Sequence, residues 1–249
     1  MNLFRMIPFQ KFDAFTNMAL DEVIMDGVRS GGTLPTIRFY GWEPSAVSIG
    51  IFQGLHNEVN PDMARKAGVD VVRRQTGGGA VYHDTQGEIT YSLIAPLAFF
   101  PVSVLDSYAV ICADIVRSLH ILGIEARFAP INDIAVGEHK ISGNAQTRRN
   151  GVLLQHGTIL YQVDVEKMFS LLAVAPEKVS DKLIKSVRSR VTCVRDLADV
   201  TLADLSAALE QGFSHGREIR SEAYTQDEHA RAARLAAEKY RTDAWNLRR

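Results

Sequence analysis

Three consecutive glycines, Gly77-Gly78-Gly79, lie between a β-branched run ending in Arg73-Arg74 and an apolar segment, Ala80-Val81-Tyr82, that carries His83 and Asp84. Glycine loses more backbone freedom on folding than any other residue, so three in a row mark a sharp turn or a close approach to the main chain. Two guanidiniums just upstream make an anion the natural visitor, because their planar, forked donors match phosphate and carboxylate. A plain hairpin carrying two surface arginines fits the same spacing. On this stretch alone both readings stand.

Composition narrows the class. With 249 residues, 46% of them hydrophobic and 23% charged, the chain has enough apolar material for a large core. A net charge of -1 with no basic tail points away from a nucleic-acid partner. Cys112 and Cys193 are too few and too isolated for a disulfide framework or a cysteine metal site, which suits a reducing compartment. Asp13 and Asp21 fall where a signal peptide needs an apolar run, and no stretch has the length to span a bilayer. The expectation is a soluble, cytoplasmic protein without a membrane partner.

The pattern of elements is mixed. Residues 11–29 read as an amphipathic helix stopped by Gly31-Gly32, and 36–40 and 46–51 read as two strands of a hairpin turning at Gly41-Trp42-Glu43-Pro44. Asn60-Pro61 opens a short helix, residues 69–72 lead as a strand into the arginine–glycine stretch, and 88–95 form another strand. A long helix over 103–122 ends at Gly123. Strands are then expected near 126–128, 133–136, 139–142 and 151–163, and helices at 165–173, 177–186, 202–213 and 225–239. With no flexible linker, residues 1–249 read as one domain. Several strands in succession without intervening helices predict an α+β fold. A doubly wound nucleotide fold is set aside: there is no Gly-x-x-x-x-Gly-Lys-Ser/Thr, and the glycines precede a strand. An anion here would rest on backbone amides and the arginines.

A second dense cluster comprises Asn132-Asp133, then Lys140-Ile141-Ser142-Gly143-Asn144-Ala145-Gln146, then Gln155-His156-Gly157-Thr158. Lys140 is surrounded by small residues, so it can extend over an open floor and present a point charge to a phosphate or carboxylate. A solvated edge-strand lysine is the plainer alternative. Taken alone, His156 reads as a satisfied core histidine and Asn132-Asp133 as a turn pair.

Together these stretches resemble the lipoate–protein ligase A family of the biotin/lipoate protein ligase superfamily. Arg73-Arg74-x-Thr-Gly-Gly-Gly-Ala-Val-Tyr-His-Asp is similar to its glycine-rich signature, and Asn132-Asp133-Ile with Gly137-x-x-Lys140-Ile-Ser-Gly-Asn-Ala to its lysine motif. Leu154-Gln-His156-Gly-Thr-Ile-Leu160, Ser186-Val-Arg-Ser-Arg-Val-Thr192, Asn17-Met-Ala-Leu-Asp21-Glu22 and Trp245-Asn246 also match. The resemblance implies a mixed, largely antiparallel sheet flanked by helices, like the core of class II aminoacyl-tRNA synthetases.

It also implies an ATP-dependent, AMP-forming ligase. Such an enzyme activates lipoic acid with ATP and Mg2+ to lipoyl-AMP, then passes the lipoyl group to a lysine of a lipoyl carrier domain. By resemblance Lys140 is the catalytic residue, bridging the acyl carbonyl and the α-phosphate. Arg73, Arg74, Gly77, Gly78, Gly79, Ala80, Val81, Tyr82, His83, Asn132 and Asp133 join it in binding ATP or lipoyl-AMP, and Asp133 is the candidate Mg2+ ligand. Gly143, Ala145, His156 and Gly157 belong to the lipoate pocket, with the first helix beside them. His83 and His156 read as wall groups and not as bases.

Octanoyl and lipoyl transferases of the same superfamily use no ATP and rest the acyl group on a cysteine. Residues 124–139 and 157–175 contain no cysteine, Cys112 lies on the apolar stripe of a helix, and Cys193 reads as incidental. That favours a ligase over a transferase, or over a non-catalytic binding module. Many ligases of this family carry a C-terminal accessory domain that this chain does not show after Trp245-Asn246, so the further expectation is a large catalytic subunit served by a separate small accessory subunit.

Overall fold

The computed structural model describes residues 2–172 and 190–248. Strand β1 (Leu3–Phe12) leads to Asp13, whose carboxylate accepts from the Thr16 amide and caps helix α1 (Ala14–Ser30). The helix ends on Gly31 at φ 74°, a left-handed conformation that favours glycine. Next come β2 (Thr36–Trp42), β3 (Ala46–Ile49), α2 (Leu55–Glu58), α3 (Pro61–Lys66), β4 (Asp70–Arg73), β5 (Val81–His83) and β6 (Glu88–Pro96). Helix α4 (Val104–Ile121) precedes β7 (Ala126–Ala129), β8 (Asp133–Val136), β9 (His139–Arg149) and β10 (Val152–Leu160). Helices α5 (Val165–Leu171), α6 (Val194–Leu197) and α7 (Leu202–Ser214), strand β11 (Glu218–Ser221) and helix α8 (Gln226–Leu235) follow. A π turn at Ala236–Tyr240 and α9 (Asp243–Asn246) complete the described chain. The helix expected at 177–186, and most of the Ser186–Thr192 motif, lie outside the described residues.

Eight strands form one sheet in the order β11-β1-β2-β6-β10-β9-β8-β7, and three form a second, β4-β3-β5. Only β11–β1 and β1–β2 are parallel in the large sheet. This is the α+β, mixed and largely antiparallel architecture that the succession of strands predicts. The large sheet is covered on both faces. Ile111, Ile115 and Leu119 of α4 and Leu205, Leu209 and Phe213 of α7 pack on one face. Met18, Leu20 and Ile24 of α1 pack on the other, with Tyr240 and Trp245 of the C-terminal turns. The small sheet buries Val47 and Ile49 against Leu55, Ala64 and Leu171 of α2, α3 and α5.

One local expectation needs correction. β2 and β3 are not a hairpin: β2 pairs with β1 and β6, whereas β3 crosses to the small sheet and pairs with β4 and β5. Short apolar strands in succession suggest a local pairing, but the large sheet already offers β2 two long partners. β1 lacks a sequence signal for a related reason. Phe4, Arg5, Met6 and Ile7 are all buried, so the alternation that marks a half-buried strand is missing.

A buried ion pair ties α1 to this sheet. Arg38 of β2 is fully buried, with Nη1 2.8 Å from Asp21 Oδ1, Nη2 2.8 Å from Asn17 Oδ1 and Nε 2.7 Å from the Tyr224 hydroxyl. Its guanidinium also stacks 3.9 Å from the centre of the Tyr40 ring. Burial by itself would raise the Asp21 pKa, but the Arg38 charge, the His156 contact and the Ser92 hydroxyl outweigh it and hold the carboxyl below its usual 3.8. Asp21→Asn strands the Arg38 charge in the core and should cost about 3–5 kcal/mol in urea denaturation. Because the folded carboxyl titrates below its unfolded value, this stabilisation is complete above pH 3.8 and declines as the pH falls beneath it. The gap between wild type and variant should therefore narrow in acid.

Candidate active site

The arginine–glycine stretch is not a hairpin. β4 and β5, which it joins, do not pair with each other; both flank β3. The connection has to cross the end of β3, and it folds back around a buried guanidinium as it does so. Arg74 donates from Nε to Thr76 Oγ1, from Nη1 to the Ser48 carbonyl and hydroxyl, and from Nη2 to the carbonyls of Gly77 and Gly79, at 2.8–3.1 Å. Every guanidinium N–H thus has an acceptor, either on β3 or in the loop it organises. Gly78 lies at φ 97°, and a Cβ there would come within 2.9 Å of Arg74 Nη2, so both conformation and close approach require glycine. Burial lowers the Arg74 pKa to about 10, which leaves it a cation at neutral pH.

Arg73 has a different task. Its side chain is fully buried and donates to the carbonyls of Gly50, Ile51, Gln53, Trp245 and Asn246. Its amide donates to Asn246 Oδ1 at 2.8 Å, and its carbonyl accepts from the Trp245 indole at 2.9 Å. The Trp245-Asn246 motif is therefore a clasp that closes the C-terminal end of the described chain onto the glycine stretch.

A cavity of about 360 Å³ opens beside these elements. Arg74, Gly78, Gly79, Ala80, Val81, Tyr82, His83, Asn132, Lys140, Gly143, Ala145, His156 and Gly157 all border it, together with Met18 of α1. Arg73, Gly77 and Asp133 stand outside the wall. Lys140 lies at the β9 edge, half-exposed, with its ammonium 2.7 Å from Asp133 Oδ1. The residues after the undescribed stretch run beside it: its amide donates to the Arg190 carbonyl, and its carbonyl accepts from the Thr192 amide. Gly143 leaves room for the lysine, since a Cβ there would stand 2.7 Å from Nζ. Burial holds His156 below its usual 6.5 despite the Asp21 carboxylate beside it, so the ring is neutral.

Trp42, Ser48 and Glu88, which carry no site role in the sequence, also border the cavity, as does Asn144, which the lysine motif contains without a role. Ser48 had a signal: it is the one hydroxyl in the apolar strand Ala46–Ile49. Asn144 exchanges hydrogen bonds with Asn132 and accepts from the Tyr91 hydroxyl at 2.7 Å, which fixes the floor under Gly157. Asp133, the candidate Mg2+ ligand, spends its carboxylate on Lys140. Among the described residues no group of three or more His, Cys, Asp or Glu side chains stands together to hold a metal ion. Asn246→Ala removes the acceptor of the buried Arg73 amide and should destabilise the protein by about 1–3 kcal/mol in denaturant unfolding.

Comparison with known proteins places this site in a family and corrects the expected reaction. A model of the lipoyl protein ligase A/B catalytic domain matches residues 13–214. Octanoyltransferase LipM of Halalkalibacterium halodurans is 34% identical over 278 aligned positions that cover all of both chains. The LipM of Geobacillus kaustophilus is 36% identical over 262 positions, covering 94% of each. A solved structure from Thermoplasma acidophilum, described as a bi-partite lipoate protein ligase and its E2 lipoyl domain, superposes with a TM-score of 0.88. It is 34% identical, over 99% of this chain and 96% of that one. The expectation of an ATP-dependent, AMP-forming ligase is overturned by the curated relatives, which are octanoyltransferases along their full or nearly full length. That expectation leaned on the missing cysteine near Lys140. A missing thiol excludes a cysteine thioester at that place but not acyl transfer as such, and an acyl cavity beside a lysine serves either chemistry. Nor do the names of the two LipM relatives bring in ATP, Mg2+ or an accessory subunit. The family model covers most of the chain and every residue of the cavity wall, so the chain belongs to the lipoyl protein ligase A/B catalytic domain family.

Proposed function

We propose that this protein is an octanoyltransferase that places a medium-chain acyl group on the lysine of a lipoyl carrier domain, without ATP. The observation that carries the reading is the cavity. Met18, Leu160, Val163, Val165 and Met168 give it apolar walls suited to an acyl chain, and Lys140 stands on its border with its ammonium half-exposed. Apolar enclosure with a few convergent polar groups is the usual form of a small-molecule site. An ammonium at the carbonyl end of a bound acyl chain would stabilise the oxyanion that develops on attack. Asp133 holds that ammonium in place, and Gly143 lets it lie flat on the strand. The full-length similarity to octanoyltransferases supports the acyl group, and the lipoyl domain that accompanies the Thermoplasma neighbour supports the acceptor.

The test is intact-mass measurement of an apo lipoyl domain incubated with the protein and an octanoyl thioester, with no ATP present. Octanoylation of one lysine is expected. A strict requirement for free acid plus ATP would overturn the reading, and a lipoyl thioester in a parallel reaction reports which acyl group the cavity prefers. In the same assay Lys140→Ala should slow transfer by about 10²- to 10³-fold. Gly143→Ala, which displaces the ammonium without touching the core, should slow it by about 10- to 100-fold at unchanged Tm.

A further inference from the structure

Tyr91, Gly157 and Asn144 lie in one row across three strands. Gly157 of β10 pairs with Tyr91 of β6 on one side and with Asn144 of β9 on the other. Neighbouring strands run about 4.8 Å apart, so Tyr91 and Asn144 start from backbones about 10 Å apart. Their side chains meet because the residue between them has none. A Cβ on Gly157 would collide with Asn144 Oδ1, and across that gap the Tyr91 hydroxyl reaches Oδ1 at 2.7 Å.

This contact is one step in a continuous hydrogen-bond chain. Arg148 Nε donates to Gln146 Oε1 at 2.9 Å, Gln146 Nε2 to Gln155 Oε1 at 2.9 Å, and Gln155 Nε2 to the Tyr91 hydroxyl at 2.7 Å. Tyr91 donates onward to Asn144, whose Nδ2 donates to the Asn132 carbonyl at 2.9 Å. The two ends fix the direction of every step. A guanidinium can only donate and a main-chain carbonyl can only accept, so each amide between them has one orientation and the phenol hydrogen points at Asn144. Burial pushes the Tyr91 phenol well above its usual 10, so that hydrogen stays in place. Tyr91 and Gln155 are fully buried, and in such a place water offers no substitute for a lost partner.

The chain ends on the turn that carries the partner of Lys140. Asn144 holds Asn132 three times: its amide and its Nδ2 both donate to the Asn132 carbonyl, and its own carbonyl accepts from Asn132 Nδ2. The next residue, Asp133, opens β8 opposite Gly143 and brings Oδ1 to 2.7 Å from Lys140 Nζ. A lysine is a point charge on a flexible stem, so where its ammonium rests depends on where that carboxylate stands.

We propose that Tyr91 is a positioning residue for Lys140, acting through Asn144 and the Asn132–Asp133 turn, and that residue 157 is glycine so that the two side chains can meet. The assignment rests on the acyl-transfer reading above, in which the Lys140 ammonium faces the acyl carbonyl. Without the Tyr91 hydroxyl, Asn144 Oδ1 and Gln155 Nε2 lose their shared partner. Asn144 then leaves the rotamer that holds Asn132, and Asp133 no longer fixes the ammonium. The acyl chain keeps its walls, because Tyr91 does not border the cavity.

The experiment measures steady-state transfer from octanoyl-pantetheine to an apo lipoyl domain by wild type, Tyr91→Phe, Asn144→Ala and the double variant. Tyr91→Phe keeps the ring in the core and removes only the hydroxyl. It should lower kcat by about 10- to 100-fold, the scale of a catalytic group misplaced by about 1 Å, at unchanged donor KM. Asn144→Ala should lose at least as much, and adding Tyr91→Phe to it should cost nothing further, as for residues acting in one series. Hydrogen exchange, read by mass spectrometry on the full chain, should accelerate in Tyr91→Phe for the peptide spanning residues 130–135 while peptides of α1 keep their wild-type rates. A general acceleration, a near-normal kcat in Tyr91→Phe, a raised donor KM with kcat kept, or full additivity in the double variant overturns the assignment and leaves the acyl-transfer reading standing. No transfer from the thioester by wild type fells both.

Discussion

The Arg74 guanidinium is the constraint on which the site depends. It is a cation nearly removed from water, and such a charge is tolerated only when its donors are satisfied. Here they are satisfied by Ser48, Thr76, Gly77 and Gly79, groups drawn from β3 and from the loop that wraps its end. The consequence is that loop and strand cannot be placed independently. Once Arg74 is buried, the glycine loop folds over it, Ser48 is fixed by its backbone and side chain, and one wall of the cavity is set.

Two further buried arginines carry the same logic outward. Arg38 couples α1 to the centre of the large sheet through Asp21 and Asn17, and Asp21 in turn reaches Ser92 and His156 behind the cavity. Arg73 couples the small sheet to Trp245 and Asn246. Each is a hydrophilic rivet through an apolar layer: Arg38 is compensated by the Asp21 carboxylate, and Arg73 by a ring of backbone carbonyls. The cavity lies between these rivets, bounded on one side by the small sheet and its loops and on the other by β9 and β10. Lys140 and Ser48 therefore both border one cavity.

Much of this was legible in the chain. Gly77-Gly78-Gly79 announced a close approach, and the structure supplies the approaching group, Arg74 itself. The Lys140-Ile141-Ser142-Gly143 run announced a lysine over an open floor, and Gly143 leaves that floor open. Trp245-Asn246 was visible as a motif, but its purpose was not, because nothing local shows that it closes onto Arg73. Most residues that the family resemblance names border one cavity, while Arg73, Gly77 and Asp133 do not, and its ligase reaction is the wrong member of a pair that shares one fold. Ser48 meets the His83 imidazole 35 positions away in sequence, and that contact is invisible until β3 and β5 are paired.

By itself the sequence determined the α+β class, the long helix over α4, the turns at glycine and proline, and which residue types gather in the two motif clusters. These follow from local periodicity and backbone restriction, which act over a few residues. The tertiary structure decided which strands pair, that β2 and β3 part into different sheets, and that Arg73 and Arg74 face inward. It also decided that Ser48, His83 and Glu88 stand in line. Those outcomes come from long-range burial and from the need to satisfy every buried donor, and neither is encoded in the spacing of residues along the chain.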